Sequence, residues 1–324
     1  MYEKFYHLNG VPFALTPDPR FFFGSASHNR AISHLIYGLS QQEGFVVITG
    51  EVGAGKTTLV EQLWAQLDRR SYTIGRVVTT QVSNDDLLRL VVTSFGANSP
   101  SADKASLLRR FEQTLREHRS QGRRCLLVVD EVQNLSFAAL EELRMLSNIT
   151  IDGKPSLQTI LLGQPQFRPI LASPELDQLR QRVLASYHLG PLTQGETQAY
   201  VEHRLRMVSW MEDPEWDPAA FEVLFRRTGG IPRRINTLCT RILLFGALEE
   251  AHVITANMVD AVASELEQDL GPATTKMPTP HANTNGSGVE ELSRRVSELE
   301  RSTARQERIF RRLLDVLGGI QTRA

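Results

Sequence analysis

Residues 50–57 read GEVGAGKT; they follow the apolar run GFVVIT at 44–49 and lead into TTLVEQLWAQL, which carries helical periodicity. A strand, a glycine-rich turn and a helix in that order fit G-x-x-x-x-G-K-[ST], a loop that folds around phosphate groups. Gly50, Gly53 and Gly55 let the backbone bend so that its N–H groups surround a polyphosphate, and the helix N-terminus adds partial positive charge. The expected nucleotide cradle is therefore Gly50, Glu51, Val52, Gly53, Ala54, Gly55, Lys56, Thr57 and Thr58. Lys56 is placed to reach the β- and γ-phosphates of ATP, and the Thr57 hydroxyl to ligate Mg²⁺, with Thr58 as its substitute. The alternative is a strand-to-helix turn that holds no nucleotide.

Working outward, CLLVVDEVQN begins at Cys125 and supplies two acids. An apolar strand ending in Asp130 puts that carboxylate at the carboxyl edge of a sheet, where it can hold the Mg²⁺ shell. Glu131 beside it can orient and deprotonate water. Alternatively, both acids cap the following loop. Further apolar runs at 72–80 (YTIGRVVTT), 157–163 (LQTILLG) and 183–190 (VLASYHLG) alternate with helical patterns, so an α/β fold with a helix-covered parallel sheet is expected. Beyond about 191 strands disappear, and helices are expected near 193–209, 217–228, 232–248 and 255–268 as a small helical domain.

The composition narrows the function classes. A length of 324 residues allows about two domains, and 41% hydrophobic residues suits a globular protein. Thirty-six Lys and Arg against 37 Asp and Glu leave a formal charge of −1, so any attraction to nucleic acid or anionic lipid must be local. MYEKFYHLNG lacks the apolar run of a signal peptide, and no stretch approaches the roughly 18 apolar residues of a membrane span. A cytoplasmic location is expected. Cys125 and Cys239 lie far apart in apolar contexts, as reduced core thiols do. His28 and His34 fit no metal spacing, and no G-x-S-x-G, H-E-x-x-H or Cys/His nucleophile signature is present.

After the helical domain, GPATTKMPTPHANTNGSG at 271–288 reads as a flexible linker. Val289, Leu292, Val296, Leu299, Thr303, Gln306, Phe310, Leu313 and Leu317 then alternate spacings of three and four, which predicts an amphipathic, coiled-coil-like helix over 289–317. Arg311 and Arg312, beside apolar residues of IFRRLLDVLGG, leave a membrane-surface helix as the alternative to a partner helix.

The phosphate loop, the apolar strand ending in Asp-Glu, a strand running into Gln164 (LLGQPQF), the arginines of QLRQRV at 178–183 and a helical segment containing GGIPRRIN occur in the order that resembles an AAA+ ATPase. Within that superfamily FYHLNGVPFALTPDPRFFF, VITGEVGAGKTTL, VDEVQNL, EELRMLSN, GQP and LRQRV are similar to the general secretion pathway protein A family. The resemblance covers about residues 1–268 and looks closest to the subfamily associated with exosortase/PEP-CTERM and exopolysaccharide loci.

This resemblance implies an AAA+ nucleotide-binding core over 1–190, with an N-terminal segment on the adenine side, and a helical lid over 191–270. It puts Gln164 at the sensor-1 position, near the γ-phosphate or the attacking water, where many relatives carry Asn. Arg233, with Arg234 as its fallback, matches the sensor-2 arginine that reaches from the lid to the nucleotide. Arg182 aligns best with the arginine finger that projects into a neighbouring subunit's ATP, and Arg180 second; solvated or Asp177-paired arginines are the alternative. Pro17 to Phe23 contact the base or pack against the sheet.

The expected protein is thus a cytoplasmic, Mg²⁺-dependent ATPase that oligomerises, as a ring for instance. It would assemble or regulate inner-membrane secretion or polysaccharide export components. The alternative is a DNA-handling AAA+ protein of the transposition or origin-binding type, against which stand the balanced charge and the lack of a clear helix-turn-helix after 268.

Overall fold

Five apolar runs assemble into one parallel sheet: β1 (Phe45–Gly50), β2 (Tyr72–Val78), β3 (Arg124–Asp130), β4 (Leu157–Gly163) and β5 (Val183–Leu189), in spatial order β2-β3-β4-β1-β5. The computed structural model describes residues 1–16, 18–68, 70–78, 84–97 and 103–270; the linker and C-terminal helix expected from 271 onward lie outside them. Both β1 and β4 are buried along their whole length, which is why they read as unbroken apolar runs rather than as alternating ones.

Successive side chains point to opposite faces of a strand, and each face has its own cover. On one side Val46, Ile48, Leu126, Val128, Ile160 and Leu162 meet Leu35 and Leu39 of α1 (Ala26–Gln41) and Leu59 and Leu63 of α2 (Lys56–Gln66). On the other, Val47, Leu127, Val129 and Leu161 meet α3 (Asn84–Ser94), α4 (Lys104–Ser120) and α5 (Phe137–Ser147) through residues that include Val91, Phe111 and Leu143. Each fully buried Leu or Phe contributes about 1.5–3 kcal/mol relative to exposure. The parallel arrangement brings Gly50, Val78, Asp130, Gly163 and Leu189 to one edge of the sheet.

The helices expected after 191 are α6 (Gln194–Arg206), α7 (Pro218–Thr228), α8 (Pro232–Leu248) and α9 (Ala256–Leu270). Thr193 opens α6 with a capping box to Glu196, and Asp217 and Pro218 open α7. Strands do not vanish here as expected: Glu215–Trp216 pairs in parallel with Val253–Ile254. Each of these is only two residues long, too short for a periodicity signal. The antiparallel pair Thr150–Ile151 and Lys154–Pro155 escaped the sequence reading for the same reason.

The N-terminal residues depart from the division at 190. Tyr2, Tyr6, Leu8 and Phe13 are buried in one cluster with Leu192, Val201, Leu224, Ile235 and Leu243 of the helical part, and Phe21 and Phe23 pack against it. These rings therefore pack with the lid helices and not against the sheet.

Candidate active site

The phosphate loop joins β1 to α2 and is held in shape by its glycines. Gly53 has φ of +82°, and a Cβ there would lie 2.3 Å from the Arg233 Cβ. Gly55 has φ of +95°, and its Cβ would fall 2.9 Å from His28 Nε2. Both positions combine a left-handed backbone with no room for a side chain. Lys56 is buried, and its Nζ donates to the carbonyls of Gly50 at 2.8 Å and Glu51 at 3.0 Å. Burial pulls the Lys56 pKa below its ordinary value, while Glu131, Asp130 and Glu51 oppose the shift. An arriving polyphosphate would act in the same sense as those carboxylates.

Thr57 Oγ1 donates to Asp130 Oδ2 at 3.0 Å, so the first turn of α2 and the end of β3 meet at a pair of hard oxygens. Asp130 Oδ1 accepts from the Glu131 backbone N–H at 2.9 Å. Glu131 itself has φ of +54°, which turns the chain sharply off the strand. Its Oε2 accepts from Gln133 Nε2 at 2.6 Å and from Gln164 Nε2 at 3.0 Å. Gln133 Oε1 in turn accepts from the Gln164 backbone N–H at 2.9 Å. Thr57, Asp130, Glu131 and Gln164 are thereby linked across the ends of three neighbouring elements.

Thr57 and Asp130 also suit a divalent cation. A hydroxyl and a carboxylate, both oxygen donors 3.0 Å apart, make up the partial donor set by which Mg²⁺ is held alongside substrate oxygens and water.

A cavity of about 390 Å³ lies over this cluster. Its core side is formed by Val52, Gly53, Gly55, Lys56, Thr57, Thr58, Asp130 and Glu131. Leu192, Tyr200, Arg204, Pro232, Arg233 and Asn236 line it from the lid, and Ala14 to Phe23 contribute Ala14, Leu15, Thr16, Asp18 and the three phenylalanines. The Arg233 backbone N–H donates to the Gly53 carbonyl at 3.2 Å, seating the first turn of α8 on the loop. Arg234 does not line this cavity.

Arg180 and Arg182 lie elsewhere. The Arg182 carbonyl accepts from Phe45 N–H at 2.9 Å, at the start of β1, so both arginines sit at the amino edge of the sheet. A six-residue strand separates that edge from the loop, roughly 17 Å at about 3.3 Å per residue. Arg180 forms an ion pair with Asp177 and donates to the Ala172 carbonyl at 3.1 Å. Among the described residues Arg182 Nη1 reaches Ser147 Oγ, at a long 3.4 Å.

Four residues of the site were not picked out by sequence reasoning. Gln133 orients Glu131, as above. Arg76 on β2 brings Nη2 to 3.9 Å from Asp130 Oδ2 and Nη1 to 3.5 Å from Glu61. His28, set aside because it fits no metal spacing, is buried under the loop with Nδ1 2.7 Å from Ser25 Oγ. Arg204 is the fourth, and no motif marks it. A polar residue two positions after Glu131 would have flagged Gln133; nothing in the sequence pairs β2 or α1 with the loop.

A parallel sheet in this order, with a phosphate loop after its β1, an Asp-Glu strand end beside it and a set of helices closing over them, is the α/β fold of P-loop nucleotide-binding proteins. Residues 39–171 match the family model described as an AAA domain. The chain is similar to General secretion pathway protein A of Aeromonas hydrophila, with 37% identity over 270 residues, 82% of this chain and 48% of that protein. It thus spans about half the length of the curated relative it matches. Among solved structures, Cdc6p from Pyrobaculum aerophilum superposes with a TM-score of 0.64 at 15% identity, over 78% of this chain and 70% of the other. The Aeropyrum pernix ORC2 protein, solved in ADPNP-ADP complexes, gives 0.61 at 17% identity, over 79% and 72%. At these identities the two structures establish a shared fold. None of the helices among the described residues is long and apolar enough to cross a membrane.

Proposed function

We propose that the chain hydrolyses ATP with an AAA+ core over 1–190 and a helical lid over 191–270, and that it uses the energy to assemble or regulate a secretion or polysaccharide-export apparatus at the inner membrane. The observation that carries the hydrolytic reading is the linked set Thr57, Asp130, Glu131 and Gln164 beneath the loop. Thr57 and Asp130 would hold Mg²⁺, which neutralises phosphate charge as the γ-phosphoryl group departs.

The chain's own groups supply the remainder. Loop N–H groups and Lys56 hold the phosphates. The two amides on Glu131 Oε2 fix the direction of a carboxylate that, ionised, can only accept, so it is suited to take a proton from the attacking water. Gln164 stands beside it as the amide that senses water or γ-phosphate, and Arg233 couples the lid to the loop. Arg182, and secondarily Arg180, would complete a neighbouring subunit's site in a ring, since they lie a strand's length from the loop of their own chain.

The secretion reading is supported by the likeness to General secretion pathway protein A, and the exosortase/PEP-CTERM assignment by the motifs quoted at the start. A Glu131→Gln protein trapped with ATP in cell extract tests it: co-purifying membrane export components sustain it, whereas transposase or replication proteins replace it with the DNA-handling reading. One observation favours that second reading. Arg119, Arg123, Arg124 and Lys154 surround a cavity of about 220 Å³ near the amino edge of the sheet, a local basic patch on a chain of balanced charge. Salt-sensitive DNA binding with stimulated hydrolysis would support it.

A further inference from the structure

Arg204 lies on α6, lines the same cavity as Lys56, and is 6% exposed. Its guanidinium carbon stands 4.9 Å from the centroid of the Phe21 ring and 5.4 Å from that of Tyr200. Nη1 reaches the Ala14 carbonyl at a long 3.4 Å, and Nε is buried without a hydrogen-bond partner among the described residues. None of the ion pairs among those residues includes Arg204. Burial holds its pKa below the ordinary arginine value. A buried cation with an unsatisfied N–H is costly. Such an arrangement persists where something else brings an acceptor.

The surroundings restrict what that acceptor is. The phosphate loop forms the core side of the cavity, so the lid side is left for the rest of the nucleotide. Aromatic rings of Phe21 and Tyr200 suit a flat heterocycle, and Asn236 beside them has its Oδ1 engaged by the Tyr200 hydroxyl at 2.8 Å. A guanidinium only donates, so it pairs with an unprotonated ring nitrogen or a carbonyl and not with an amine. We propose that Arg204 is a specificity-determining residue that reads the base of the bound nucleotide by donating to an unprotonated ring nitrogen of adenine. The proposal rests on the nucleotide reading of the cavity.

The test measures dissociation constants of ATP, 1-deaza-, 3-deaza- and 7-deaza-ATP and inorganic tripolyphosphate for the full chain as wild type, Arg204→Met and Arg204→Lys. One deaza analogue should bind the wild type about tenfold or more weakly than ATP does, the cost of one lost charged hydrogen bond. The same analogue should bind Arg204→Met as well as ATP binds it, while tripolyphosphate binds all three proteins alike. Arg204→Lys keeps the cation without the planar fork and should lose most of the discrimination too; it carries the test if the Met variant does not fold. Equal deaza penalties in wild type and variants, no penalty in the wild type, or tripolyphosphate weakened as much as ATP would each overturn the proposal. A wild-type protein that binds no nucleotide at all would instead sink the reading of the cavity.

Discussion

The Arg233 backbone N–H donates to the Gly53 carbonyl at 3.2 Å, so the lid touches the phosphate loop at the position where the loop has φ of +82°. Gly53→Ala would force a Cβ to within 2.3 Å of the Arg233 Cβ and add about 1–2 kcal/mol of left-handed strain. The expected result is ATP affinity at least tenfold lower, by titration calorimetry, with a modest drop in melting temperature. Unchanged affinity would mean that the lid contact and the loop conformation are independent of nucleotide.

Removing one oxygen of the Thr57–Asp130 pair should separate binding from turnover. Asp130→Asn is expected to retain ATP binding in EDTA but to lose about 10² or more of the Mg²⁺-stimulated rate, because a neutral amide is a poor substitute for a carboxylate on a hard cation. Thr57→Ala should act in the same direction. Steady-state hydrolysis across a Mg²⁺ titration distinguishes this from a folding defect.

Glu131 and its two amides should behave as a unit. Glu131→Gln is expected to slow hydrolysis by about 10²–10⁴ with ATP still bound. Gln164→Ala and Gln133→Ala each leave the carboxylate one hydrogen bond short, so smaller losses are expected. Single-turnover kinetics of the double variant should show less than the product of the two single effects. Full additivity would argue that the two amides do not act through Glu131.

Mixing tests the amino-edge arginines. Arg182→Ala should lower turnover by about 10³ or more if it completes a neighbour's site, and Arg180→Ala by less, because Arg180 is already paired with Asp177. An Arg182→Ala protein combined with Glu131→Gln should recover part of the rate, since mixed assemblies contain junctions where both groups are intact. No recovery at any ratio would place the action of Arg182 within its own chain.

Acid should weaken the fold through one buried and two half-buried histidines. Burial is the leading cause that lowers the pKa of His28, His118 and His203 from their ordinary 6.5. The unfolded chain then takes up protons near that value while the folded chain resists, so stability falls as pH drops from about 7.5 to 5.5. Urea midpoints across this range should decline, and His28→Gln should flatten the decline.

The sheet was legible because its central strands β1, β3 and β4 are covered on both faces. An apolar run such as LQTILLG has no other use, and each of the five expected runs became a strand of the sheet. Loop and acids were legible because they are contiguous: Lys56 and Thr57 are adjacent, as are Asp130 and Glu131. What escaped depends on contacts between distant segments. His28 matters because α1 runs under the loop, Arg76 because β2 lies next to β3, and Arg204 because the N-terminal segment folds over the lid. No local pattern encodes those neighbours. Of the two expectations for Pro17 to Phe23, packing against the sheet gives way to packing with the helical part, where Phe21 and Phe23 join the cluster of Tyr2, Tyr6 and Phe13.

The capping residue of α6 has a second duty. Glu196 accepts from Thr193 N–H through Oε2 at 3.0 Å and from Ala26 N–H, the first residue of α1, through Oε1 at 2.8 Å. One side chain therefore closes the exposed ends of two helices that belong to different halves of the molecule. Tilting one half against the other must break one of these two hydrogen bonds, so the two helix ends are tied to each other through Glu196.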